Sequence, residues 1–126
     1  MTQRPQDRRI IRTKNAAFGP YDFEGPLQAD MSFLALSYER QSALGSYLIR
    51  MAPGAATIRH THQHQEEFIV LEGQLIEDDG TVLGPGDYVC YAAGTTHNSR
   101  TETGCLLLGF DWPGGQNAAR REEQPT

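Results

Sequence analysis

Short apolar runs separated by turn signals recur along this chain at spacings of roughly ten residues, and that pattern favours short strands over long helices. Pro53-Gly54-Ala55, Asp78-Asp79-Gly80, Gly84-Pro85-Gly86-Asp87 and Ala93-Gly94 each interrupt a run. Thirteen glycines and seven prolines in 126 residues supply the turns. The runs between them predict strands at 33–38, 46–51, 57–62, 66–71, 74–77, 88–91 and 105–110. The strongest holds Phe68, Ile69, Val70 and Leu71, all good sheet formers. No segment of helical length carries apolar residues at a 3.6-residue period. The expectation is an all-β sandwich or closed barrel built as a single domain.

The length suits one modest core, and 38% apolar with 21% charged residues is the balance of a globular chain rather than a disordered one. No stretch approaches the roughly 18 apolar residues that a membrane span requires. The polar start has no apolar segment behind it, so we expect no signal peptide, no membrane partner and a cytoplasmic protein. Cys90 and Cys105 each sit in an apolar run and are expected to be buried free thiols. The net charge of −5 conceals a basic start, where Arg4, Arg8, Arg9, Arg12 and Lys14 face only Asp7. Without interleaved aromatics this segment points to a frayed, solvated terminus and not to a nucleic-acid surface. We therefore divide the chain into an N-terminal arm with a first edge segment (1–30), a barrel (31–113) and a flexible tail (114–126).

The chain has four histidines, and His60, His62 and His64 fall within a single five-residue window, followed by Glu66 and Glu67. Alternate residues of a strand share a face, so His60 and His62 can address one point. A strand running straight on would carry Glu66 about 20 Å from His60, at roughly 3.3 Å per residue. Ligand atoms must come within roughly 2.0 to 2.2 Å of an ion such as zinc. If all three bind one metal, the chain must turn at Gln63-His64-Gln65, which puts His64 at a solvent-facing loop tip. A fourth ligand would have to come from elsewhere, and His97, after Gly94-Thr95-Thr96, is the remaining histidine. On its own it could equally be a hydrogen-bonding loop residue.

At this point the residues resemble the cupin superfamily. Its first motif is matched by Gly54, His60, His62, Glu66 and Gly73 at every position. Its second is matched by Gly86, Gly94 and His97, with Ala92 standing for a proline and Thr101 for an asparagine. Within the superfamily, the stretch from Glu66 to Gly73 and that from Gly86 to His97 are similar to the ChrR-type cupins. These include the metal-binding domain of some anti-sigma factors and ketone-cleaving enzymes such as acetylacetone dioxygenase. The resemblance spans roughly residues 33 to 112. It implies a jelly-roll β-barrel, commonly a homodimer, holding one divalent ion in its mouth through His60, His62, Glu66 and His97. Glu67 then points away and is no ligand. An anti-sigma role normally needs a preceding helical domain, for which the roughly thirty residues before the first clear strand are too few.

Three imidazoles and one carboxylate leave two adjacent positions of an octahedral ion open, as in non-haem iron oxygenases. The expected function is an iron(II)-dependent dioxygenase acting on a small dicarbonyl or aryl ketone. The alternative is a non-enzymatic zinc-holding or ligand-sensing module, and a third reading makes the histidines structural. Fe²⁺ suits the enzyme; Zn²⁺, Mn²⁺ or Ni²⁺ fit the same donors. Arg50 and Arg59 flank the site in sequence, and Tyr47, Tyr88 and Tyr91 are candidates to line the cavity. Phe68 and Val70 share the strand parity of Glu66 and should form its apolar wall. Ile69 and Leu71 face the other way and need cover from a further layer or a second subunit.

Overall fold

A computed structural model describes residues 7–114. It holds eleven strands and, among the described residues, no α-helix. In chain order these are β1 (Gly19–Tyr21), β2 (Gln28–Ala35), β3 (Gly45–Met51), β4 (His60–Thr61), β5 (Gln65–Gly73), β6 (Leu75–Glu77), β7 (Val82–Leu83), β8 (Tyr88–Tyr91), β9 (Thr96–His97), β10 (Ser99–Arg100) and β11 (Cys105–Trp112). They form a jelly-roll barrel: a six-stranded sheet ordered β1-β2-β3-β11-β5-β8, a three-stranded sheet β10-β6-β7 and a two-stranded ribbon β4-β9. Every strand pair is antiparallel.

Alternation decides which side chains enter the barrel. Along β5, Phe68 and Val70 are buried while Leu71 is 42% exposed. Across the large sheet, Leu107 pairs with Val70 on one side and Ile49 on the other. These residues meet Leu75 and Leu83 of the small sheet, and Met51, Val70 and Leu75 are among the most completely buried side chains. Burying one such side chain contributes about 1.5 to 3 kcal/mol. Of the two residues expected to wall the cavity, Phe68 lines it and Val70 is packed in the core behind it.

Two glycines are dictated by space. Gly73 ends β5 at φ +75°, and a Cβ there would lie 1.9 Å from the Gly104 carbonyl oxygen. At Gly109 a Cβ would meet the Tyr47 ring at 2.5 Å. The Tyr47 ring lies flat over that bare backbone, and this close approach sets where its hydroxyl reaches.

The sheet begins at β1, which lies within residues 1–30 and ahead of the first predicted strand run. Pro20 sits inside β1, tolerable because β1 is an edge strand. The predicted strand at 33–38 starts at Gln28 and stops at Ala35. The predicted strand at 57–62 shrinks to His60–Thr61, with an isolated bridge from Ala56 to Arg100 before it. Arg9 donates to the Leu36 carbonyl, which ties one residue of the basic arm to the barrel, while Arg8, Arg12 and Lys14 are exposed. Arg4, and the expected tail beyond Gly114, lie outside the described residues.

Candidate metal centre

The ribbon β4-β9 places the histidines. His60 pairs directly with His97, and Thr61 with Thr96. The chain then turns at Gln63-His64 and enters β5 at Gln65, as the reach argument required. The backbone closes the turn with two bonds, His62 N–H to Thr95 C=O at 2.9 Å and Gly94 N–H to His62 C=O at 2.8 Å. His97 therefore lies on a two-residue strand and not on a loop.

One nitrogen from each of His60, His62 and His97 lies within 4.8 Å of the others, a group that could hold a metal ion. His62 and His97 are buried, at 8% and 4% exposure. The partners of the opposite ring nitrogens fix the tautomers. His60 Nδ1 lies 2.6 Å from the Ile58 carbonyl oxygen, which can only accept, so Nδ1 carries the proton. His97 Nδ1 lies 2.9 Å from Glu77 Oε1, a carboxylate, so it too donates. In both rings Nε2 is left as the basic atom. The Nε2 atoms of His62 and His97 are buried and have no hydrogen-bond partner. Buried donors and acceptors are rarely left so, and a divalent cation is the partner that would satisfy imidazole lone pairs converging on one point. The residues fit a metal.

Glu66 faces the cluster from β5. Its Oε1 lies 3.3 Å from His62 Nε2 and 3.7 Å from His97 Nε2. Its Oε2 accepts from the Tyr47 hydroxyl at 3.3 Å, and the same hydroxyl donates to Asp111 at 2.7 Å. Burial opposes ionisation of Glu66, yet the facing His97 and the other nearby imidazoles outweigh it and hold its pKa below the usual value. His97 shows the counterpart: burial pushes its pKa down, but Glu66 and Glu77 raise it to about 9. At His62 burial prevails and the pKa falls. Asp111 is pushed up to about 7 by burial and by the charge of Glu66.

Behind His97 sits a second layer of polar groups. Glu77, 5% exposed, accepts from His97 Nδ1, from the Ser99 hydroxyl and from the Tyr91 hydroxyl. The Tyr91 ring also packs on His97, 4.2 Å between centroids. A carboxylate that orients a ligating histidine is a standard outer-shell device.

The other expected residues separate cleanly. His64 joins no cluster and its Nε2 lies 3.3 Å from the Ser42 carbonyl. Glu67 points away and accepts from the Tyr88 hydroxyl. Tyr88 itself is 54% exposed and leaves the cavity to Tyr47. Arg59 pairs with Asp78 at 2.7 Å, and Arg50 lies 5.5 Å from the Phe18 ring; neither lines the cavity at the histidines. Thr101, in the place of the motif asparagine, is 1% exposed and donates to the Gln74 carbonyl at 2.5 Å. Cys90 and Cys105 are buried thiols outside any disulfide, as expected.

A small antiparallel barrel with three histidines converging in its mouth defines the cupin class. The family model for the ChrR cupin-like domain matches residues 8–114. This chain belongs to that family. No curated protein matches it. Among solved structures it is similar to an RmlC-like cupin from Shewanella frigidimarina, with 19% identity over 87% of this chain and 95% of that one and a TM-score of 0.67. It is also similar to the complex of SigE with the anti-sigma ChrR from Rhodobacter sphaeroides, with 19% identity over 80% of this chain, 52% of that chain and a TM-score of 0.63. A third is an acetylacetone dioxygenase from Acinetobacter johnsonii, with 12% identity over 88% of this chain, 77% of that chain and a TM-score of 0.63. At such identities the likeness is one of fold.

Proposed function

We propose that this protein is a metal-dependent cupin acting as a non-haem iron(II) dioxygenase on a small dicarbonyl or aryl ketone. His60, His62 and His97 would hold the ion, with Glu66 as the fourth ligand. The observation that carries the reading is the convergence of three imidazoles, of which His62 and His97 have buried Nε2 atoms without a hydrogen-bond partner. Such an ion supplies Lewis acidity and, if iron, the capacity to handle O₂. The chain's own part is positional. Ile58 and Glu77 fix two imidazoles with Nε2 forward. Tyr47 holds one oxygen of Glu66, leaving the other toward the histidines. Phe68, Ile49 and Leu107 keep the inner wall apolar, which excludes water from a bound ketone.

The likeness to the acetylacetone dioxygenase supports the enzyme, and the likeness to the complex with anti-sigma ChrR supports the second reading, a zinc-holding or ligand-sensing module. Elemental analysis of protein purified without added metal, followed by oxygen-electrode assays with β-diketones and hydroxyaryl ketones, separates them. Iron with ketone-dependent O₂ uptake supports the dioxygenase. Tightly held zinc with no uptake supports the module. We further propose a cytoplasmic homodimer. No helix among the described residues is long and apolar enough to cross a membrane.

A further inference from the structure

The loop at 22–27, between β1 and β2, crosses the barrel mouth and is pinned there. Asp22 pairs with Arg40 at 2.7 Å, and the Arg40 guanidinium sits 4.5 Å above the Phe23 ring. Phe23 in turn packs on Phe33, 4.3 Å between centroids. This anchoring aims Glu24 inward. Its Oε2 accepts from the buried Tyr21 hydroxyl at 2.7 Å. Its Oε1 is buried and has no partner.

Glu24 lines the mouth cavity, of about 390 Å³, together with His60, His62, Glu66 and Asp111. It also lines an adjoining pocket walled by Tyr21, Phe33 and Tyr47. The mouth thus carries four carboxylates against one lining cation, Arg40, which is already engaged by Asp22. A fixed, buried acceptor with no protein donor is costly unless something supplies one. The histidines supply the metal's partners, but nothing in the described chain supplies a partner for Glu24 Oε1.

We propose that Glu24 is the selectivity residue of this site: it accepts a hydrogen bond from a hydroxyl that the ligand carries distal to its metal-binding oxygens, and it rejects ligands bearing a carboxylate there. The inference rests on the metal-site reading above and extends it to a ligand class, a neutral oxygen chelator with one distal donor. Asp111 lines the same cavity and accepts from the Tyr47 hydroxyl through Oδ1, but neither of its oxygens is a buried acceptor without a partner, as Glu24 Oε1 is.

Three pyrones that chelate through the same two oxygens test it: allomaltol with a distal methyl, kojic acid with a distal hydroxymethyl and comenic acid with a distal carboxylate. Binding to zinc-loaded protein is measured by calorimetry. Wild type should favour kojic acid over allomaltol about tenfold, the worth of a hydrogen bond to a charged group, and should bind comenic acid weakest. Glu24→Gln keeps an acceptor for Tyr21 but presents its amide –NH₂ where Oε1 was. It should bind kojic acid and allomaltol alike and gain affinity for comenic acid. Glu24→Asp, which withdraws the carboxylate but keeps its charge, should lose the kojic preference and still disfavour comenic acid. Unchanged order in both variants, with His97→Ala abolishing all binding, would overturn the role of Glu24 alone. Failure of all three pyrones to bind zinc-loaded wild type would overturn the site reading and this one with it.

Discussion

Glu77 Oε1 stands 2.9 Å from His97 Nδ1, and both side chains are almost wholly buried. The pair fixes the imidazole so that Nε2 faces His60 and His62. Replacing Glu77 with Gln removes the charge and leaves one carbonyl oxygen where His97 and Tyr91 share Oε1 and Ser99 takes Oε2. Divalent-metal affinity should fall about 10- to 100-fold, the usual cost of losing an outer-shell carboxylate. Chelator competition on Glu77→Gln measures this, and a loss below threefold would remove Glu77 from the centre.

Metal content should discriminate among the candidate ligands themselves. His97→Ala and Glu66→Gln are each expected to lower occupancy in protein purified without added metal. His64→Ala should leave it nearly intact, because His64 lies outside the three-histidine group and its Nε2 is 3.3 Å from the Ser42 carbonyl. Equal losses in all three by elemental analysis would contradict the turn at Gln63-His64.

The metal-free protein should take up metal with release of protons. Ligation needs neutral imidazole, and the pKa of His97 is raised to about 9 without the ion. Affinity should therefore climb with pH from about 7 to 9, by up to about tenfold per unit, and then level off. The sign for stability is opposite. A histidine whose pKa is higher folded than unfolded stabilises fully below about 6.5, and that contribution is lost as pH rises through about 9. Melting temperature of the metal-free protein should thus decline across that window, and that of the zinc-loaded protein less so.

Sequence made the frame and the imidazoles legible, and it left the carboxylates largely unread. His60 and His62 follow from strand parity, the turn after them from the reach of a straight chain. Phe68 and Val70 follow from sharing the parity of Glu66. Parity also gives the reason that Tyr88 faces out while Tyr91 supports His97, since residues three apart on a strand take opposite faces. Glu77 left a fainter trace: it lies two positions beyond Leu75 on a strand whose residues are all buried. Glu24 and Asp111 left none, because barrel closure alone brings a loop after β1 and the end of β11 to one mouth. β9 and β10 are two residues each, too short for any periodicity to register.

Gly109 is expected to tolerate no side chain. A methyl there would meet the Tyr47 ring at 2.5 Å and push its hydroxyl off Glu66 and Asp111. Gly109→Ala should destabilise the fold by about 1 to 3 kcal/mol in urea titration. Tyr47→Phe, which keeps the ring and drops only the hydroxyl, should cost less. A Gly109→Ala variant as stable as wild type would show that the ring can slide aside.

Both thiols should be chemically silent in the folded protein. Burial pushes the Cys105 pKa up to about 11, with the Thr101 and Arg50 neighbours only partly offsetting it, so its thiolate is scarce at pH 8. Cys90 is equally enclosed. A thiol-disulfide reagent at pH 8 should titrate neither before denaturant and both after it. Prompt reaction of either would place it at the surface.

His60 and His97 ride on a ribbon of two residue pairs, with His62 one residue past its end, whereas Glu66 belongs to the broad sheet behind it. An ion gripped by all four acts as a rivet between a narrow flap and a rigid wall. Its departure should let the flap breathe while the wall stays firm, so amide exchange at Thr61 and Thr96 becomes a local gauge of loading, with Val70 as the unmoving reference.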